Sequence, residues 1–152
     1  MNNTNQCAHT PQYSNSRMNN LTRMKVLLVE DSALLRETIT ETLSSCKDLN
    51  IEAYAATESK AIQLLTEVHF DMILVDIELA QGNGFEVIKF TQTPDYPHAQ
   101  PMVIMLTNHA NSYYRALAKK LTIPYFFDKS MDFDLAIETI ESEAERFCHT
   151  HH

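Results

Sequence analysis

The sequence predicts a doubly wound α/β fold, a five-stranded parallel sheet with helices on both faces. Unbroken apolar runs such as Met72-Ile73-Leu74-Val75 are too short for a lone helix and rich in branched residues, as strands buried on both faces are. Between these runs lie segments with apolar residues at helical spacing, so strand and helix patterns alternate five times. Parallel neighbours require crossovers, and right-handed helical crossovers cover both faces of the sheet.

Met24 to Val29 reads as the first strand and runs into an acid pair, Glu30-Asp31. Ser32 suits an N-cap, and Leu35, Ile39, Thr42, Leu43 and Cys46 follow at helical spacing, giving a helix over about Ser32 to Lys47. Ile51 to Ala55 is a second, short strand. Thr57 caps the next helix, whose Ala61, Leu64, Leu65 and Val68 form a one-sided apolar stripe. The third strand, Met72 to Val75, stops at a carboxylate, Asp76. After it come Gly82 and Gly84, the only two glycines in the chain. Glycine used so sparingly marks backbone that needs positive φ or close approach, so this loop wraps tightly around the strand end. Phe85 to Phe90 opens a third helix, ended by Pro94, Pro97 and Pro101, and Met102 to Leu106 is a fourth strand that stops at Thr107. Tyr114, Leu117, Ala118 and Leu121 mark a fourth helix, closed by Pro124. Tyr125 to Phe127 is a fifth strand, followed by Asp128-Lys129-Ser130, and Phe133, Ala136, Ile137, Ile140 and Ala144 lay out the last helix.

With 152 residues and 44% hydrophobic content, one domain with its own core is expected. Residues 1–23 hold Arg17 and Arg23 and no acid, are dense in Asn, Ser and Thr, and lack an apolar period; they are expected to be a disordered leader. Either Met18 or Met24 suits a translation start. The folded segment is expected over 24–148, with 149–152 (His149-Thr150-His151-His152) as a frayed tail. Outside the leader, 10 basic residues face 20 acidic ones, within a net charge of −8, which argues against a nucleic-acid partner. No apolar run reaches membrane-span length and no secretion signal opens the chain, so neither a membrane partner nor export is expected. Cys7, Cys46 and Cys148 are odd in number and widely spaced, so they suit neither a disulfide framework nor zinc, and a reducing cytoplasm fits best.

Polar groups gather where the strands end: Glu30 and Asp31 after the first, Asp76 after the third, Thr107 after the fourth and Lys129 after the fifth. Ligands of open α/β sheets bind beyond the carboxyl ends of the strands. Crowded carboxylates repel unless they share a proton or bind a hard cation, and Mg²⁺ suits a few carboxylates together with water and phosphate oxygens.

This ordered set resembles the response-regulator receiver family, the CheY-like domains of two-component signalling, from Met24 to about Phe147. The motifs that carry the resemblance are the acid pair, the lone Asp76, Gly84 eight residues after it, Thr107 and Lys129. The resemblance implies a flavodoxin-like sheet of order 2-1-3-4-5. It implies that Asp76 accepts a phosphoryl group from a histidine kinase or histidine phosphotransfer protein. Glu30, Asp31, Asp76 and the backbone carbonyl of Glu78 would hold Mg²⁺. Thr107 and Lys129 would contact phosphoryl oxygens, and Phe126 would rotate into the space Thr107 vacates. Glu78, Asn108 and His109 would gate the approach of water.

Some positions depart from the family pattern. Ser130 stands where proline often follows the lysine through a cis bond, a bond that costs a non-proline residue about 3 kcal/mol. Ala80 replaces a frequent proline, and Phe126 lacks the hydroxyl of a tyrosine. Because the chain ends with the last receiver helix, a stand-alone receiver that docks to another protein, its downstream target unnamed, is the expected function. The alternatives are a haloacid-dehalogenase-like Mg²⁺-dependent phosphohydrolase and a phosphate-independent receiver-like binding module. The former wants a second Asp two residues after the nucleophile, where this chain has Glu78; the latter usually lacks the Asp or the Lys.

Overall fold

The computed structural model describes residues 23–150. The expected leader therefore lies outside the described residues except for Arg23, as do His151 and His152 of the tail and Met18, one of the two possible start positions.

Five strands alternate with five helices: β1 (Met24–Val29), α1 (Ala33–Leu43), β2 (Leu49–Ala55), α2 (Glu58–Glu67), β3 (Met72–Val75), α3 (Gly84–Thr91), β4 (Met102–Thr107), α4 (Ser112–Lys120), β5 (Tyr125–Asp128) and α5 (Phe133–Thr150). The strands form one parallel sheet of order β2-β1-β3-β4-β5. The two faces of the sheet bury separate apolar layers. Leu27, Val29, Ile73, Val75 and Met105 face one layer, with Leu65 and Ile88. Val26, Leu28, Met72, Leu74 and Ile104 face the other, with Ile39 and Ile140. Alternate residues of one strand thus enter opposite layers, the reason the central strands read as unbroken apolar runs.

Boundaries differ from the sequence expectation where local capping intervenes. Helix α1 ends at Leu43, because Ser44 and Cys46 turn their amides back onto the carbonyls of Glu41 and Leu43. Thr42 is accordingly exposed, and the buried stripe is carried by Ile39 and Leu43. Strand β2 starts at Leu49 instead of Ile51, since Leu49 pairs with Met24 across the sheet. Val68 is the extended C-cap of α2 and is 39% exposed, outside the stripe it was expected to join. Helix α5 runs through Thr150, two residues into the expected tail. The bond before Ser130 is trans, as there is no cis peptide among the described residues.

The loop from Ile77 to Asn83 is stapled to the start of α2. Amides of Glu58 and Ser59 donate to the Gln81 carbonyl and Oε1 at 2.8 and 3.1 Å, the Ala80 amide donates to Ala56, and the Asn83 amide donates to Glu58 Oε1 at 3.1 Å. Both glycines are required here. Gly82 has φ +76°, and a Cβ added to it would lie 2.5 Å from Glu58 Cβ. At Gly84 the constraint is space: an added Cβ would land on the Asp76 carbonyl oxygen and lie 2.9 Å from Val75 Cγ2.

Gly84→Ala should therefore lower stability by about 1–3 kcal/mol in urea unfolding, as overpacking against backbone does. Gly82→Ala should be destabilising through its backbone conformation as well as the Glu58 contact. In a double-mutant cycle with Glu58→Ala, a coupling of at least about 0.5 kcal/mol is expected, and strict additivity would mean that the two residues do not interlock.

Candidate functional site

The carboxyl ends of β1, β3, β4 and β5 bring the expected groups together. Glu30 follows β1 and is 3% exposed, Asp76 follows β3 at 7%, and Thr107 closes β4 fully buried. Lys129 follows β5, and its amide donates to the Thr107 carbonyl at 2.9 Å, which carries the side chain inward over the sheet edge. Its ammonium lies 2.8 Å from both Glu30 Oε1 and Asp76 Oδ2, bridging two strand ends in a nearly water-free position. Asp31 is exposed, yet an oxygen of its carboxylate lies within 4.8 Å of ligand-type oxygens on Glu30 and Asp76.

Each buried acid has a second partner. Glu30 Oε2 accepts the Ser32 amide at 3.1 Å and Asp76 Oδ1 accepts the Ile77 amide at 2.7 Å. Burial pushes the Glu30 carboxyl above its ordinary value, with the Lys129 and Ser32 hydrogen bonds opposing it. Burial alone would pull the Lys129 ammonium down, but hydrogen bonds to Asp76 and Glu30 and their charges outweigh it, so the group is held above its ordinary value and stays protonated at neutral pH. Three carboxylates gathered around one ammonium leave the cluster with an excess of negative charge. The all-oxygen donor set fits one hard divalent cation.

The remaining expected residues surround this cluster. Glu78 and His109 are both exposed and pair across the entrance, Nε2 to Oε1 at 3.1 Å. Asn108 is exposed beside them. Thr107 Oγ1 accepts the His109 amide at 3.0 Å. Phe126 is half-buried against the layer containing Phe85 and Met105, and the Arg115 guanidinium lies 5.1 Å from its ring centroid. A cleft of about 480 Å³ opens next to the Ile77–Asn83 loop, lined by Glu78, Leu79, Phe85, Tyr113, Tyr114 and Leu117. Two contacts at the site carry no signal in sequence spacing: the hold of Arg36 on the Glu30 carbonyl at 2.7 Å, and the Glu58 staple. Each depends on which helix abuts which loop.

Comparison with known proteins agrees with this geometry. Residues 26–141 match the model of the response regulator receiver domain. A protein-glutamate methylesterase/protein-glutamine glutaminase of Bacillus licheniformis is 36% identical over 55% of this chain and 23% of its own length. The transcriptional regulatory protein DegU of Brevibacillus brevis is 24% identical over 87% of this chain and 55% of its own. The chain thus spans about a quarter to about half of the curated relatives it matches. Among solved structures, the non-phosphorylated HemR receiver domain of Leptospira biflexa is 28% identical with a TM-score of 0.65, covering 79% of this chain and 95% of its own. The response regulator domain of Thermotoga maritima CheB, 22% identical, has a TM-score of 0.69 over 84% of this chain and 97% of its own. From the ordered strand-end residues, the sheet order and the matched family model together, the chain belongs to the response regulator receiver domains of two-component systems.

Proposed function

We propose that this chain accepts a phosphoryl group on Asp76 from a phosphohistidine of a histidine kinase or histidine phosphotransfer protein, and signals by docking to a further protein. The observation that supports it most is the Lys129 ammonium held 2.8 Å from Asp76 beside the acid pair. In the transfer, an Asp76 carboxylate oxygen forms a bond to phosphorus as the phosphorus–nitrogen bond of the donor breaks, leaving the imidazole nitrogen with the electron pair. Glu30, Asp31, Asp76 and the Glu78 carbonyl are the groups that would hold Mg²⁺. When bound, that ion supplies charge neutralisation and in-line orientation. The chain's own residues do the rest. Lys129 exchanges its contact with Asp76 for one with a phosphoryl oxygen, and Thr107, whose hydroxyl proton is not needed for its bond to the His109 amide, donates to another.

Phe126 and the cleft lined by Tyr113 and Tyr114 are the expected readout, because both adjoin α4 and Phe126 pairs with Met105 on β4, the strand that Thr107 closes. The Glu78–His109 pair and Asn108 act as a gate for water. A cytoplasmic location belongs to this reading; among the described residues no helix is long and apolar enough to cross a membrane.

Incubation with acetyl phosphate and Mg²⁺ should add one phosphoryl group per chain, located on Asp76 by mass spectrometry, and Asp76→Asn should abolish it. Labelling that survives that substitution moves the acceptor elsewhere. Repeated release of phosphate from a phosphate monoester would instead identify a phosphohydrolase. For the gate, a pair as exposed as Glu78 and His109 is worth at most about 1 kcal/mol, so His109→Ala should accelerate dephosphorylation by about two- to five-fold. Asn108→Ala should act in the same direction, and a decay rate equal to wild type in both variants removes the gate.

A further inference from the structure

We infer that Arg36 and Tyr54 are positioning residues which fix the backbone of the acid pair and thereby set how tightly the site holds its divalent cation. The inference rests on the receiver reading proposed above and extends it to two residues that touch neither phosphoryl group nor metal.

Asp31 is the exposed member of the acidic cluster, and among the described residues no hydrogen bond or ion pair holds its carboxylate. Its direction is therefore set by the backbone it hangs from. That backbone is gripped on two sides. The Glu30 amide donates to the Ala55 carbonyl at 2.9 Å, and the Glu30 carbonyl, which is part of the peptide leading into Asp31, accepts Arg36 Nη1 at 2.7 Å. The guanidinium that makes this bond lies 4.8 Å from the centroid of the Tyr54 ring. Tyr54 is on edge strand β2 and 61% exposed, so its ring fills no core; what it offers is a flat face for Arg36. A long side chain loses rotamer freedom when it holds one carbonyl, and a stacking platform limits the arrangements it must give up. Strand β2 thus holds the acid pair twice, through Ala55 directly and through Tyr54 and Arg36.

Charge and geometry act in opposite directions here, which makes the inference testable. The positive charge of Arg36 close to the acids repels a cation, so removing that charge alone tightens metal binding. Loss of the grip loosens it. Arg36→Lys keeps the charge and loses the planar fork, Tyr54→Ala keeps Arg36 and loses the platform, and Tyr54→Phe keeps the ring.

The experiment is calorimetric titration of the full chain with Mg²⁺, with melting temperatures measured alongside. Arg36→Lys and Tyr54→Ala should each weaken Mg²⁺ binding by about tenfold, the scale of lost outer-layer support at metal sites. Tyr54→Phe should bind as wild type does, and melting temperatures should move little, because Tyr54 is exposed and Arg36 only half-buried. Affinities equal to wild type in Arg36→Lys and Tyr54→Ala overturn the inference while leaving the receiver reading intact. Equal losses in Tyr54→Phe and Tyr54→Ala overturn it too, since the hydroxyl and not the ring would then be responsible. A wild-type chain that binds no Mg²⁺ sinks the proposed Mg²⁺-dependent phosphoacceptor function and this inference with it.

Discussion

The ammonium of Lys129, shared between Glu30 and Asp76, is the interaction on which the site depends. Burying two carboxylates at neighbouring strand ends is costly, and removing the cation between them would leave charge uncompensated at on the order of 3–5 kcal/mol. The sheet order makes the bridge possible. β1 and β3 are hydrogen-bonded neighbours, which places Glu30 beside Asp76, while β4 separates them from β5. Lys129 must therefore reach across the end of β4, and it does so anchored by its amide on the Thr107 carbonyl.

The same constraint explains the sparing use of glycine. The carbonyl of Asp76 approaches the first turn of α3 so closely that position 84 has no room for a Cβ. The backbone at Asp76 is thus pinned by packing, and the loop beyond it is pinned by hydrogen bonds to α2. The Asp76 carboxylate is therefore carried on backbone held from both sides.

Much of this was legible in the sequence, for a definable reason. Residues such as Asp76, Thr107 and Lys129 sit where an apolar run stops, and a run that stops is visible without knowing the fold. The five strands were readable because burial on both faces removes the polar alternation that makes other strands ambiguous. What escaped were contacts that depend on neighbouring elements. Arg36 looks like any solvated helix arginine, and Tyr54 and Glu58 like ordinary surface residues, until α1 is set against β2 and α2 against the Ile77–Asn83 loop. Helix ends were misplaced at Leu43 and Val68 because capping amides, not apolar spacing, decide where a helix stops. For Phe126, Asn108 and His109 the sequence offered position only, and their roles came from resemblance.

The two flanks of the cluster are held unequally, and this bears on where a phosphoryl group would exert its effect. On the β1–β2 and α2 side, backbone amides and carbonyls tie the acid pair and the loop after Asp76 to neighbouring elements. On the β4–α4 side, the segment after Thr107 is joined to the cluster by the Thr107 Oγ1 bond to the His109 amide and by the exposed Glu78–His109 pair, contacts of modest worth. A hydroxyl drawn toward a phosphoryl oxygen on Asp76 would change the geometry of its bond to that amide. Strain introduced at Asp76 therefore finds its softest outlet in the segment leading to α4, beside Arg115, Phe126 and the exposed Tyr113. The asymmetry follows from hydrogen bonding, without any assumption about a partner. It leaves the acid pair on the stiff flank and the segment leading to α4 on the soft one.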